Sequence, residues 1–166
     1  RRADANRLGP QYGCDSHVFA NAVPQNAVLN QGIWSGLENR IGVWADVFEE
    51  VWIISGPIYH QGKISQTVGD AAHQEIPVAV PDALFKVVYF KNEDRTEVIS
   101  FIYPNRFTKI PVMYKTGDCS KDYSYDHSPF IVDIKEIEKQ AQLDFPHRAT
   151  SLKIMPDVQM PENLCQ

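Results

Sequence analysis

The sequence predicts a single α+β domain, an antiparallel sheet packed against one long helix. Three observations carry this expectation. Apolar residues recur at spacings of three and four from Val28 to Val51, the stripe of an amphipathic helix. Leu84 to Phe90 and Glu97 to Tyr103 are rich in β-branched and aromatic residues, and Asn92-Glu93-Asp94-Arg95 between them reads as a hairpin connection. No repeat and no interdomain linker divides the 166 residues, a length that suits one core and is short for two enzyme domains.

Taken in order, residues 1 to 15 are polar and basic and read as loop. Residues 16 to 23 alternate weakly and suit a short strand that Pro24 stops. Asn26 can cap the helix that follows. That helix is expected to run about six turns and to bury Val28, Leu29, Ile33, Trp34, Leu37, Ile41, Trp44, Val47, Phe48 and Val51 along one stripe. Gly32, Gly36 and Gly42 lower its intrinsic propensity, so tertiary packing must hold it. Val51 to Ile54 reads as a buried strand ended by Ser55-Gly56-Pro57. Residues 58 to 80 are irregular, with Ile76-Pro77 and Val80-Pro81 confining the backbone. The hairpin strands come next, then a long polar loop over 104 to 128. A second, shorter helix is expected over Ile131 to Leu143, and the tail from Pro146 is irregular.

Composition bounds the function. Hydrophobic residues make up 43% and charged residues 22%, which is globular. No run approaches the ~20 apolar residues of a membrane helix, so no membrane partner is expected. The net charge of -5 argues against indiscriminate coating of nucleic acid but leaves room for a local basic patch. There is no Gly-rich phosphate loop, GxSxG, HExxH or CxxC. Cys14, Cys119 and Cys165 allow one disulfide and one thiol without a partner in the chain. Cys119 and Cys165 stand in polar, loop-like contexts. A bridge between them would tie the tail to the domain, and two free surface thiols are the alternative.

Asn30 is the residue most open to a chemical reading. At 100° per residue it points within about 40° of Trp34, Leu37 and Trp44, inside the apolar stripe. A buried carboxamide needs partners. It can bond a backbone carbonyl, or present its oxygen to a hard cation such as Mg²⁺. Glu38 lies two turns on, flanking the same stripe. The loop histidines His60, His73, His127 and His147 lack ligand spacing and read as solvated. His17 reads as a strand-edge residue. Lys86, within a strand, is as readily structural as substrate-facing.

Several segments together are similar to one family. Phe19-Ala20-Asn21-Ala22-Val23-Pro24-Gln25, followed by Leu29-Asn30-Gln31-Gly32-Ile33-Trp34-Ser35-Gly36-Leu37-Glu38, closely resembles the DNA/RNA non-specific endonucleases, the ββα-metal nucleases of the Serratia and endonuclease G type. Ser55-Gly56-Pro57, Val78 to Val88, Phe101 to Asn105, Val132 to Glu138 and Leu143-Asp144-Phe145 continue the match, which spans about residues 1 to 155. The resemblance implies the ββα-metal nuclease fold. It also implies hydrolysis of DNA and RNA phosphodiester bonds to leave 5′-phosphate ends. One Mg²⁺, with Mn²⁺ as the alternative, would be held by a single Asn and water, with a His as general base and an Arg at the charged transition state. By position, Asn30 resembles the metal-binding Asn. Glu38 resembles the acidic residue that orients water at the metal, and Asn21 the strand Asn near the catalytic His. Arg1, Arg2 and Arg7 cluster where a phosphate-binding face would lie. The resemblance also favours the Cys119–Cys165 bridge.

The Asp-Arg-Gly-His motif that supplies the family's general base does not occur in the chain. The resemblance places it a few residues upstream of Arg1, so residues 1–166 read as the C-terminal major portion of one nuclease domain. That leaves the first part of the domain, a strand and the catalytic Arg, in an upstream segment of the same protein or in a separate chain. A pseudonuclease that binds nucleic acid or protein without cutting is the alternative class, and a purely structural secreted domain a third. Homodimers occur in the family. The disulfide points to a secreted or periplasmic protein, and the endonuclease G resemblance to mitochondria.

Overall fold

A computed structural model describes residues 22–92, 95–106, 125–146 and 148–158. Asn26 starts the first helical segment as expected. Its side-chain oxygen accepts the Leu29 N–H at 3.1 Å, satisfying a donor that a helix start leaves unpaired, and its carbonyl accepts the Asn30 N–H at 2.9 Å as the first intrahelical bond. α1 (Ala27–Leu29) passes straight into a wide π-type turn, Asn30–Trp34, in which Gly32 adopts φ -106°, ψ -114°, and then into α2 (Ser35–Val47).

The expectation of one uniform six-turn helix is thus corrected twice. The wide turn adds a residue to one turn and slips the register. The helix also stops early, because Phe48 turns to extended backbone (φ -88°, ψ 149°) and stacks on Phe90, with ring centroids 4.5 Å apart. Val47 is consequently 57% exposed and lies outside the core, as does Val28 ahead of the wide turn, 40% exposed.

The main sheet contains β1 (Glu50–Ile58), β4 (Ala83–Asn92), β5 (Arg95–Pro104) and β6 (Ile131–Val132), antiparallel and in that spatial order. β7 (Thr150–Ser151) pairs parallel with β5. β2 (Thr67–Val68) and β3 (Val78–Ala79) form a separate small hairpin in the stretch expected to be irregular. β1 does not end at Ser55-Gly56-Pro57. It runs on to Ile58, with Gly56 opposite Phe85 and Pro57 opposite Leu84. Among the described residues β1 is an edge strand, where a proline's missing N–H costs no ladder bond.

β4 is central and its residues 84 to 90 are all buried. Leu84, Val88 and Phe90 join Ile99, Phe101 and Tyr103 of β5 under Leu29, Ile33, Leu37, Ile41 and Trp44. Phe85, Val87 and Tyr89 pack on the opposite face against Ile134 and Ile137 of α3 (Ile134–Ala141) and against Phe145. The sheet is therefore covered on both faces, which explains a continuous apolar run in place of strict alternation. α3 is shorter than expected because Ile131 and Val132 pair with β5. Asp133 caps it by accepting the Lys135 N–H at 2.9 Å.

Candidate active site

Asn30 stands at the first position of the wide turn and is exposed. This corrects the reading that placed it inside the apolar stripe. The projection assumed 100° per residue throughout, and the wide turn between Asn30 and Trp34 breaks that spacing. Leu29 and residues 32 to 37 are buried, while Asn30 and Gln31 face solvent. The carboxamide is presented outward from a backbone that the Asn26 cap fixes.

Trp34, at the other end of the turn, donates its indole N–H to Glu38 Oε1 at 3.0 Å. Lys86 comes up from β4 beneath them. Its Nζ lies 3.4 Å from the same carboxylate oxygen and 4.1 Å from the centre of the Trp34 ring. The Lys86 side chain is 4% exposed and the Glu38 side chain 19%. Lys86 therefore faces α2 as a buried partner of Glu38. The sequence held one signal for this: Lys86 is the only charged residue in the apolar run from Ala83 to Phe90, and a buried charge needs a partner.

A second brace lies under the start of α1. Asn105, 6% exposed, accepts the Asn26 N–H at 2.7 Å. It donates to the carbonyls of Pro24 and Pro81 at 3.1 and 3.0 Å. It thus ties the end of β5 to both the cap and the loop before β4. Asp82 in that loop accepts the His60 backbone N–H (2.8 Å), the Ser65 hydroxyl (3.0 Å) and an Arg106 N–H (2.9 Å). The His60 N–H, then Ser65 and Arg106, hold its carboxyl below the usual carboxylate range against a smaller opposing effect of burial.

The described histidines divide. His60 and His73 are exposed, and His73 pairs with Asp70 at 2.7 Å. His127 is 3% exposed, correcting its reading as a solvated loop residue, and shares a 2.9 Å hydrogen bond with the buried Tyr103 hydroxyl. Burial, then the Arg40 charge, push it down to about 4, with Asp126 pulling the other way. Asn21, Arg1, Arg2, Arg7, His17, His147 and all three cysteines, including the expected Cys119–Cys165 pair, lie outside the described residues.

Among the described residues no three His, Cys, Asp or Glu side chains gather as a metal cage. A carboxamide oxygen facing solvent with a carboxylate two turns on is nonetheless a hard-oxygen donor set, and suits an ion that keeps most of its water, as Mg²⁺ does. Among the described residues no helix is long and apolar enough to cross a membrane.

A family model described as DNA/RNA non-specific endonuclease matches residues 2–151. The chain is similar to the mitochondrial nuclease EXOG of Mus musculus, 27% identical over 150 residues, which cover 86% of this chain and 37% of that protein. It is similar to the mitochondrial nuclease EXOG of Homo sapiens, 31% identical over 114 residues, 62% of this chain and 30% of that protein. The chain spans about a third of the length of these relatives. No solved structure matches it.

Proposed function

The chain belongs to the DNA/RNA non-specific endonuclease family, and we propose that it contributes the metal-binding and substrate-facing part of a Mg²⁺-dependent site that cuts both DNA and RNA, leaving 5′-phosphate ends. The observation that carries this reading is the outward-facing Asn30 on a capped wide turn, with Glu38 two turns on held by Trp34 and Lys86. Asn30 would hold the ion through its carboxamide oxygen, with Mn²⁺ as a substitute. When bound, the ion supplies charge neutralisation at the phosphate and the leaving oxygen. Glu38 keeps one oxygen on Trp34 and Lys86, which fixes the carboxylate's direction and lets it orient a water beside Asn30. Asn105 holds the Asn26 cap and with it the backbone that aims Asn30. Asn21 would lie beside the general base, and Arg1, Arg2 and Arg7 would receive phosphates.

The general base is taken, as the family resemblance implies, from an Asp-Arg-Gly-His segment upstream of Arg1, in the same protein or a separate chain. A pseudonuclease that binds without cutting is the rival reading, and the reading frame before Arg1 separates the two. The mitochondrial relatives favour a mitochondrial site of action over export, and we keep the Cys119–Cys165 bridge and a homodimer as subordinate proposals. The test is cleavage by the protein made from its complete reading frame. Plasmid and RNA should both be cut with Mg²⁺, with 5′-phosphate on the product ends, and chelation should stop both reactions. Cleavage of only one nucleic acid, or cleavage that persists in chelator, contradicts the proposal.

A further inference from the structure

Two depressions adjoin on the surface beside the start of α1. One, of about 380 Å³, is bordered by Gln25, Asn26, Gln66, Asn105 and Arg106. The other, of about 560 Å³, is bordered by His60, Lys63, Ser65, Asp82 and Arg106. Arg106 stands between them and belongs to both. Asn26 is the cap whose carbonyl accepts the Asn30 N–H, so this trough begins one helical turn from the proposed metal residue.

The chemistry of the walls is that of a polyanion site. The Arg106 side chain is 70% exposed, and of its five N–H donors Asp82 takes one hydrogen bond. Asp82 already accepts three donors, and it serves to pin the His60–Ser65 loop and Arg106 in place. Lys63 and His60 are exposed along the outer wall. Among the described residues Gln25 Nε2 is buried with no hydrogen-bond partner, at the inner end of the trough. Val68, Val80 and Pro104 supply apolar floor for sugars and base faces. In a chain of net charge -5, paired cations along one trough are a local exception that a phosphate backbone would need.

We propose that the trough from Asn26 past Arg106 to Lys63 carries the sugar-phosphate backbone of the substrate strand outside the cleavage point, with Lys63 and Arg106 each neutralising one phosphate. This rests on the nuclease reading above and names residues that it does not use. The contacts are to phosphate, so they add affinity without sequence preference.

The test is equilibrium binding of a fluorescein-labelled DNA duplex to the protein made from its complete reading frame, in chelator so that nothing is cut. Binding is measured across salt from about 50 to about 200 mM. Lys63→Gln, an exposed change that leaves the fold intact, should weaken binding and reduce the slope of log affinity against log salt by about 0.9, the loss of one phosphate contact. Arg106→Gln should do the same, with thermal unfolding confirming that it folds. Lys135→Gln, on α3 and outside both depressions, should leave the slope unchanged. Wild-type binding with a slope that Lys63→Gln leaves unaltered overturns the trough alone. Wild-type protein that fails to bind the duplex at the lowest salt contradicts the nuclease reading and the trough with it.

Discussion

The buried ammonium of Lys86 and the partly exposed carboxylate of Glu38 form an unequal pair, and the inequality predicts how each variant behaves. Removing one member of a buried pair strands the other. Glu38→Ala removes the carboxylate 3.4 Å from the Lys86 ammonium, whose side chain is 4% exposed. The expected cost is about 3 kcal/mol. Lys86→Met leaves Glu38 held by Trp34 at 3.0 Å and able to reach water, and should cost clearly less. Urea unfolding of both variants measures this, and equal losses would contradict the asymmetry. His127 gives a second prediction. Its folded-state value is held down to about 4, below the ordinary 6.5, so the fold favours the neutral ring. Its contribution is fully present above pH 6.5 and drains away as pH falls towards 4. It amounts to about 3 kcal/mol in the limit of a fully unshifted unfolded state. His127→Gln should therefore flatten the stability profile between these pH values relative to wild type, and an unchanged difference in slope would count against the assignment. Neither residue's environment was written in its own neighbours in sequence. Lys86 could be suspected from the apolar run around it, but His127 sits among polar residues and is packed by Phe101 and Tyr103 of β5, far from it in sequence.

The elements most legible in sequence were those decided by local pattern. β4 and β5 declare themselves by β-branched and aromatic runs on either side of a polar connection, and the Asn26 cap by its residue type and place before an apolar run. Where tertiary packing or an unusual turn decides, the pattern misled. A wide turn leaves apolar spacings of three and four nearly intact on either side, so periodicity alone cannot reveal the slip that carries Asn30 to the surface. Gly56-Pro57 looks like a strand terminator, yet at a sheet edge it continues β1. The glycine is needed there because a Cβ would lie 2.7 Å from Phe85 Cε1, and Phe85 is buried in the second core layer. Gly56→Ala should thus destabilise by about 1–3 kcal/mol, the usual cost of overpacking. The midpoint of thermal unfolding checks it. A neutral substitution would mean that Phe85 can move aside.

At the scale of the whole molecule, the sheet is covered by helices on both faces, and among the described residues β1 is its edge. Trp52, Ile53 and Ile54 are 48%, 51% and 38% exposed on that strand, an apolar edge of the sort proteins usually cover. The residue set is also chemically one-sided. It presents a candidate metal residue, a braced carboxylate and a cationic trough, but no Asp-Arg-Gly-His. Positioned general-base catalysis is worth about 10²–10⁴-fold. Residues 1–166 expressed alone should therefore show no useful nicking of plasmid, and supplying the upstream segment in cis or as a separate peptide should restore it. Metal-dependent nicking that survives rigorous purification of the 166-residue chain would place the base within it, with His17 the first residue to replace.

The proposed metal site turns on Asn30, and its most direct test is the rate of plasmid and RNA cleavage by Asn30→Ala in the protein made from its complete reading frame, read beside its thermal unfolding. Asn30 is exposed and, among the described residues, stands outside both core clusters, so the variant should unfold at the wild-type temperature. With its carboxamide oxygen gone, Mg²⁺-dependent cleavage of both nucleic acids should fall by orders of magnitude. A variant that cuts DNA and RNA at the wild-type rate would remove Asn30 from the site and contradict the account at its centre.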